Sequence, residues 1–200
     1  MRRQLEKAFI DFRNSDDMDT PLLPPDMRRV AYKAVLRKTS SADKSGLVII
    51  QNIFRNVGII QERIRILRCI ASSPDPDVIR DVLNFICSDE VREQDVVYVL
   101  FNVSSECRET VWTWFKDNWE SVLKKWGSGL LLTDMVKSVI DPLCTDEIAD
   151  EIHKFFKLEG NPVIDMTVRQ SVEQVRLKAK LVQNIKNDQS LEGVLISLAS

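Results

Sequence analysis

Apolar residues recur along this chain at intervals of three and four, the spacing that places them on one face of a helix. Leu5, Ala8, Phe9 and Phe12 mark a short amphipathic piece over 4–13. A polar loop over 14–20 and the run Pro21-Leu22-Leu23-Pro24-Pro25 follow. Val30, Ala31, Ala34 and Val35 predict a helix over 26–37. The turn Thr39-Ser40-Ser41-Ala42-Asp43 supplies N-cap side chains, and helices are expected over 43–55 and 60–71. In Ser72-Ser73-Pro74-Asp75-Pro76-Asp77 the pieces of a sharp helix start are in order. Asp75 suits the N-cap, Pro76 the first helical position and Asp77 the positive end of the dipole. Val78, Ile79, Val82, Leu83 and Ile86 then define a buried face.

Ser88-Asp89-Glu90 breaks that helix, and its carboxylates, with Glu93, suit the start of the next. A buried helix is expected over 91–103, despite the β-branched cluster Val96, Val97 and Val99. Trp112, Phe115, Trp119, Val122 and Trp126 step by three and four along one helix or two nearly continuous ones. The stripe predicts a packed core rather than a stacking platform, since aromatic side chains bury large areas and no basic excess flanks them. Gly127-Ser128-Gly129 reads as a helix stop rather than a phosphate loop, because no strand precedes it. Helices follow over 130–140 and 145–157, the second with Thr145 as N-cap ahead of Asp146 and Glu147. After the break Gly160-Asn161-Pro162, a long helix over 166–185 carries Val168, Val172, Val175, Ala179 and Val182. A short terminal helix carries Leu191, Val194, Leu195 and Leu198. Eight to ten helices with short connections predict an all-α fold of stacked antiparallel pairs, an α-solenoid. No strict sequence repeat is visible, so any repeat is structural only.

Composition agrees: 44% of the 200 residues are apolar, while Gly (6) and Pro (7) are scarce. The formal net charge of −2 gives no global attraction to nucleic acid or acidic lipid. The basic pairs Arg2-Arg3, Arg28-Arg29 and Lys124-Lys125 read as solvated helix faces. Cys69, Cys87, Cys107 and Cys144 lack C-x-x-C spacing and lie in or beside apolar stretches, which predicts buried free thiols in a reducing compartment. No apolar run reaches the length of a membrane span, and the first residues lack the apolar core of a signal peptide.

The residues offer no catalytic constellation. His153 is the sole histidine and Lys154 follows it, so the H-E-x-x-H pair that holds zinc on one helix face cannot form. Any serine or cysteine hydrolase would depend on that same imidazole, and no G-x-S-x-G elbow is present. The expectation is no catalytic, metal or cofactor-binding residue in this chain.

Several stretches resemble one family in order: Pro21-Leu22-Leu23-Pro24-Pro25-Asp26-Met27-Arg28, Gln61-Glu62-Arg63-Ile64-Arg65-Ile66-Leu67, Ser73-Pro74-Asp75-Pro76-Asp77, Val82-Leu83-Asn84-Phe85 and Glu90-Val91-Arg92-Glu93-Gln94-Asp95. Trp112 to Phe115, Asn118-Trp119-Glu120, Trp126-Gly127-Ser128-Gly129 and Arg169-Gln170-Ser171-Val172-Glu173 continue the series. The set resembles the C-terminal helical domain of zinc aminopeptidases of the aminopeptidase N and puromycin-sensitive type. Asp43-Lys44-Ser45-Gly46 and the ending look most like plant members.

The resemblance implies that residues 1–200 are part of a HEAT-like or armadillo-like C-terminal domain, without its catalytic domain. That domain closes over the catalytic domain as a lid and chamber wall that admits peptides. Zinc and the catalytic residues belong to the parent enzyme. The implied partners are the catalytic domain and, indirectly, a peptide substrate, with Arg169, Gln170 and Glu173 as candidate peptide contacts. The implied location is cytoplasmic, with membrane association a property of some parent enzymes. A free-standing scaffold that binds a protein partner is the alternative. Leu181 stands where the family usually carries Trp, and Lys178 and Lys180 where the plant-like pattern has Asn.

Overall fold

The computed structural model describes residues 23–127 and 129–188. They are helical throughout, with no strand among the described residues. The chain divides into two compact units, one through Gly127 and one from Ser128 onward. The expected amphipathic pieces over 4–13 and 191–198, and Arg2-Arg3, lie outside the described residues.

The first unit contains α1 (Pro25–Leu36), α2 (Ser45–Asn56), α3 (Ile60–Ile70), α4 (Pro76–Cys87), α5 (Val96–Leu100), α6 (Arg108–Asp117) and α7 (Trp119–Trp126). Helix α3 packs on α1, α2 and α5, while α4 packs on α5 and α6. Each helix thus covers the apolar stripe of a neighbour one or two elements away, the arrangement of an α-solenoid. The second unit contains α8 (Leu130–Ile140), α9 (Asp146–Glu159) and α10 (Asp165–Asn187), with α10 packed on both others.

Local chemistry sets the boundaries. The Asp75 side chain accepts the Asp77 and Val78 N–H groups at the start of α4, and Thr145 accepts that of Ile148 at the start of α9. Gly46 allows α2 to approach α1 closely, since a Cβ there would stand 2.3 Å from Thr39 Oγ1. Between α6 and α7, Asn118 donates both its backbone N–H, at 3.0 Å, and its side-chain amide, at 2.8 Å, to the Trp114 carbonyl, so one residue caps the helix end twice.

The expected helix over 91–103 is shorter than the sequence reading. A 3-10 turn, Glu93–Asp95, leads into α5, which stops at Leu100. Asp95 is buried and accepts from Arg92 Nε at 2.7 Å, which tightens the entry. At the exit the Asn102 side chain takes the Tyr98 carbonyl, and its backbone N–H takes that of Val99. The aromatic stripe is core: Trp112, Phe115, Trp119, Val122 and Trp126 are all buried, and the Phe115 and Trp119 rings lie 5.4 Å apart.

Two basic pairs depart from the solvated-face reading. Arg28 is mostly buried and donates to Glu62 at 3.0 Å, whereas Arg29 is exposed. Lys125 is half-buried over the Trp126 ring and donates to the Cys87 carbonyl at 2.8 Å, whereas Lys124 is exposed. The carboxylates after α4 also do more than favour a helix start. Glu90 binds Arg55 in bidentate fashion, at 2.5 and 2.9 Å.

Among the cysteines, Cys69 and Cys107 are buried, while Cys87 and Cys144 are half-buried, a departure from the expected full burial. Burial pushes the Cys87 thiol up to about 11 and raises those of Cys69 and Cys107 as well. The thiolate is the nucleophile, so these three should resist iodoacetamide at pH 8 in the native chain and react after denaturation. Mass spectrometry of the alkylated chain checks this.

Glu62 is the main buried charge of the first unit. It accepts from Tyr32 Oη at 2.8 Å, from Arg28 and from Arg65. Burial raises the Tyr32 hydroxyl, against the pull of Arg28 and Arg65, so it stays a protonated donor. Removing the carboxylate strands two guanidinium groups. Glu62→Ala should therefore cost about 3–5 kcal/mol in urea unfolding. Trp119→Ala should cost a similar amount, about 3–5 kcal/mol, by leaving a core cavity. A change of only a few tenths of a kcal/mol in either would contradict these roles.

Candidate functional site

In the second unit, a cleft of about 750 Å³ opens where α9 gives way to α10. The corner depends on Gly160, whose φ of 59° is open to glycine at little cost and whose N–H reaches the Phe156 carbonyl. Asn161 then accepts the Val163 N–H at 3.0 Å, and the Ile164 carbonyl takes the Val168 N–H at 2.8 Å as α10 begins. Phe156, Ile164 and Val168 give the cleft a buried apolar floor. His153, Lys157 and Arg169 line its exposed edge, and Asp165 pairs with Arg169 at 2.9 Å.

Arg169 therefore lines this cleft, whereas Gln170 and Glu173 are exposed further along α10 and are not part of its lining. Arg169 and Glu173 are one helical turn apart and share a face. The arrangement places Lys157 and Arg169 at the edge of an apolar floor. No group of three His, Cys, Asp or Glu side chains among the described residues is placed to hold a metal ion. Nor is any helix among the described residues long and apolar enough to cross a membrane.

The positions that depart from the family pattern separate in the structure. Lys178 is half-buried and donates its ammonium to the Asp141 carbonyl, just past the last turn of α8. Ser171 donates to the Asp141 carboxylate at 2.7 Å. Lys178 thus serves as a cap for α8. Lys180 and Leu181 are exposed.

The first unit carries a smaller cleft of about 250 Å³ beside Asn84, Cys87, Trp114, Asn118 and Lys125. Its polar groups are largely engaged internally. Trp114 Nε1 donates to Asn84 Oδ1 at 3.2 Å, and Lys125 is held by the Cys87 carbonyl. The sequence reading missed both clefts: the larger is made by one contiguous stretch, 153–169, whose shape depends on how the chain turns at Gly160, and the smaller by residues of α4, α6 and α7 that lie apart in sequence.

Comparison with known proteins gives the context. The family model for the ERAP1-like C-terminal domain matches residues 2–177. Aminopeptidase M1 of Arabidopsis thaliana is 42% identical over 184 residues, covering 92% of this chain and 21% of that protein. Aminopeptidase M1-A of Oryza sativa subsp. japonica is 41% identical over 180 residues, covering 90% of this chain and 20% of that protein. The alanine/arginine aminopeptidase of Saccharomyces cerevisiae is 22% identical over 179 residues, with 88% and 20% covered. The chain spans about a fifth of the length of these relatives. With this coverage and an all-α fold of packed helix pairs, the chain belongs to the family of ERAP1-like C-terminal domains.

Proposed function

We propose that this chain is the non-catalytic C-terminal helical part of a zinc aminopeptidase, acting as lid and chamber wall for a catalytic domain. The observation that carries the reading is coverage. The family match spans residues 2–177, yet the chain corresponds to only a fifth of each aminopeptidase it resembles. In this reading residues 1–200 form part of a single C-terminal domain, and zinc and the groups that activate water belong to the catalytic domain. The parent enzyme is cytoplasmic, in keeping with free thiols at Cys69, Cys87, Cys107 and Cys144.

The chain's own residues contribute binding. Arg169, Gln170 and Glu173 stand exposed on the first half of α10. Arg169 and Glu173 offer a cation and an anion within one turn, and Gln170 adds an amide that can donate or accept. Such groups hold a peptide backbone and its polar side chains without acting on the scissile bond.

The test combines this chain with Arabidopsis Aminopeptidase M1 lacking the matching C-terminal fifth. Alone, the chain should contain no stoichiometric zinc and should not hydrolyse aminoacyl-arylamides. Added in trans, it should bind the truncated enzyme and raise its turnover of peptides. Arg169→Ala combined with Glu173→Ala should lower kcat/KM for peptides by roughly two- to tenfold, since exposed polar contacts contribute about 0.2–1 kcal/mol each. Hydrolysis of the short arylamide should be unchanged. Turnover by the chain alone that disappears in His153→Ala would overturn the non-catalytic reading. A soluble monomer with no affinity for the truncated enzyme would favour the free-standing scaffold.

A further inference from the structure

Helices α1 and α3 pack on each other, and their outward side is basic. Arg29 and Lys33 stand one turn apart on α1, as Arg65 and Arg68 do on α3. Arg29 and Arg68 are exposed, and Lys33 and Arg65 half-buried. The Cys69 thiol, buried on α3, lies 3.8 Å from the Arg29 carbonyl of α1. Burial raises that thiol, and the charges of Lys33, Arg29 and Arg65 all pull against it, so three of the four cations gather around one point. Arg68 reaches toward α5, with its guanidinium 5.0 Å from the centre of the Tyr98 ring.

We propose that this face of α1 and α3 is a docking site for an acidic segment of a partner protein, whose carboxylates pair with Arg29, Lys33, Arg65 and Arg68. Three observations support that occupant. First, these cations lack carboxylates of their own. Arg29, Lys33 and Arg68 form no ion pair among the described residues. Arg65 shares Glu62, which is buried and also holds Arg28 and Tyr32. Asp26, in the first turn of α1, pairs with neither Arg29 nor Lys33.

Second, composition does not force this. The formal net charge is −2, so carboxylates outnumber cations. Elsewhere in the unit exposed cations do find them. Arg37 holds Glu106 at 3.1 Å, Lys44 holds Asp81 at 2.6 Å, and Arg55 holds Glu90. Like charges one turn apart destabilise a helix, a cost that a bound anion removes.

Third, the donors are held in advance. Glu62 fixes Arg65, and the Tyr98 ring supports Arg68, so two guanidinium forks stand in place before a partner arrives. The size of the face then selects the occupant. Arg29 and Lys33 lie about 6 Å apart along α1, and two packed helix axes about 8–10 Å apart. A patch of that extent matches a few carboxylates of one segment, not the six to ten or so phosphates that nucleic-acid binders typically contact. The net negative charge of the chain also works against a polyanion. The inference is independent of the proposed aminopeptidase role.

Fluorescence anisotropy on the full chain at low ionic strength tests it. The probe is a short labelled peptide of alternating Glu and Ser, and its counterpart with Gln for Glu is the control. The Glu peptide should bind and the Gln peptide should not, and binding should weaken as salt is added. Arg29→Gln, Lys33→Gln and Arg68→Gln combined should weaken it about tenfold or more. Helix content by circular dichroism should be unchanged in that variant. Should the triple variant lose helix, Arg29→Gln with Lys33→Gln, confined to α1, should still weaken binding severalfold. The same loss of charge away from the patch, in Lys124→Gln, Lys154→Gln and Lys180→Gln combined, should leave binding as it was. Failure of the native chain to bind the Glu peptide would overturn the proposal, as would an equal loss in the variant with the distant substitutions. A single-stranded oligonucleotide or a phosphatidylserine vesicle that binds more tightly than the peptide, and is lost in the patch variant, would also overturn it.

Discussion

The first unit depends on a ladder of hydrogen bonds that joins one inter-helix turn to the next. Ser73 Oγ donates to the Thr39 carbonyl at 2.8 Å, and the Cys107 thiol sits 3.8 Å from the Ser73 carbonyl. Both pairs are 34 positions apart. The Ser41 N–H donates to Asp75 at the same separation, and so does Arg28 to Glu62. Turns carry carbonyl and amide groups that no helix satisfies, and burying them unpaired costs about as much as a lost hydrogen bond. Stacking each turn on its predecessor satisfies them and sets the offset between helix pairs. The hydrophobic stripes then meet because the turns have already fixed their spacing.

This economy governs where chemistry can reside. Within the first unit the strongest polar groups are committed to neighbouring repeats. Glu62 holds Arg28, Tyr32 and Arg65, while Glu90 holds Arg55. Asp75 caps its own helix and reaches back to Ser41. Ser41 and Ser73 are likewise engaged, which leaves them no freedom to act on a substrate. In the second unit, by contrast, cations stand at the edge of an apolar cleft. In the first unit polar chemistry thus serves the stacking of helices, whereas in the second it meets solvent over an apolar floor.

Much of the fold was legible because it rests on local rules. Asp75, Thr145 and Gly160 mark helix ends by chemistry contained within a few residues. The face of α4 from Val78 to Ile86 is buried as its spacing requires. What stayed hidden is long-range. Glu62 lies among arginines on its own helix, where an exposed i,i+3 pair is the ordinary reading, and nothing nearby announces Tyr32 and Arg28 as its partners. The 34-residue period escaped because it is written in single turn residues of different types, namely Thr39, Ser73 and Cys107. The early stop of α5 was hidden for a similar reason, since a valine cluster gives no sign that buried Asp95 will tighten its entry. Of the three peptide-contact candidates, only Arg169 lines the cleft: Gln170 is turned to another side of the helix, and Glu173, on the same face as Arg169, lies one turn beyond it.

The substitutions near the end of α10 show why a departure from a family pattern has to be read in three dimensions. Lys178, Lys180 and Leu181 stand together in sequence, and all three would count equally as lost contacts. Yet the Lys178 ammonium is bound to the Asp141 carbonyl, at the negative end of the α8 dipole. A shorter amide side chain at 178 would reach less far and bring no charge, so the lysine strengthens the junction of α8 and α10. Leu181, one turn further along, is instead exposed, as are Leu177 and Ile185. There an aliphatic side chain keeps the position apolar while removing the indole N–H, a group that favours wet or polar contacts. One ties α10 to the end of α8, and the other leaves an exposed aliphatic side chain with no polar group to offer a ligand.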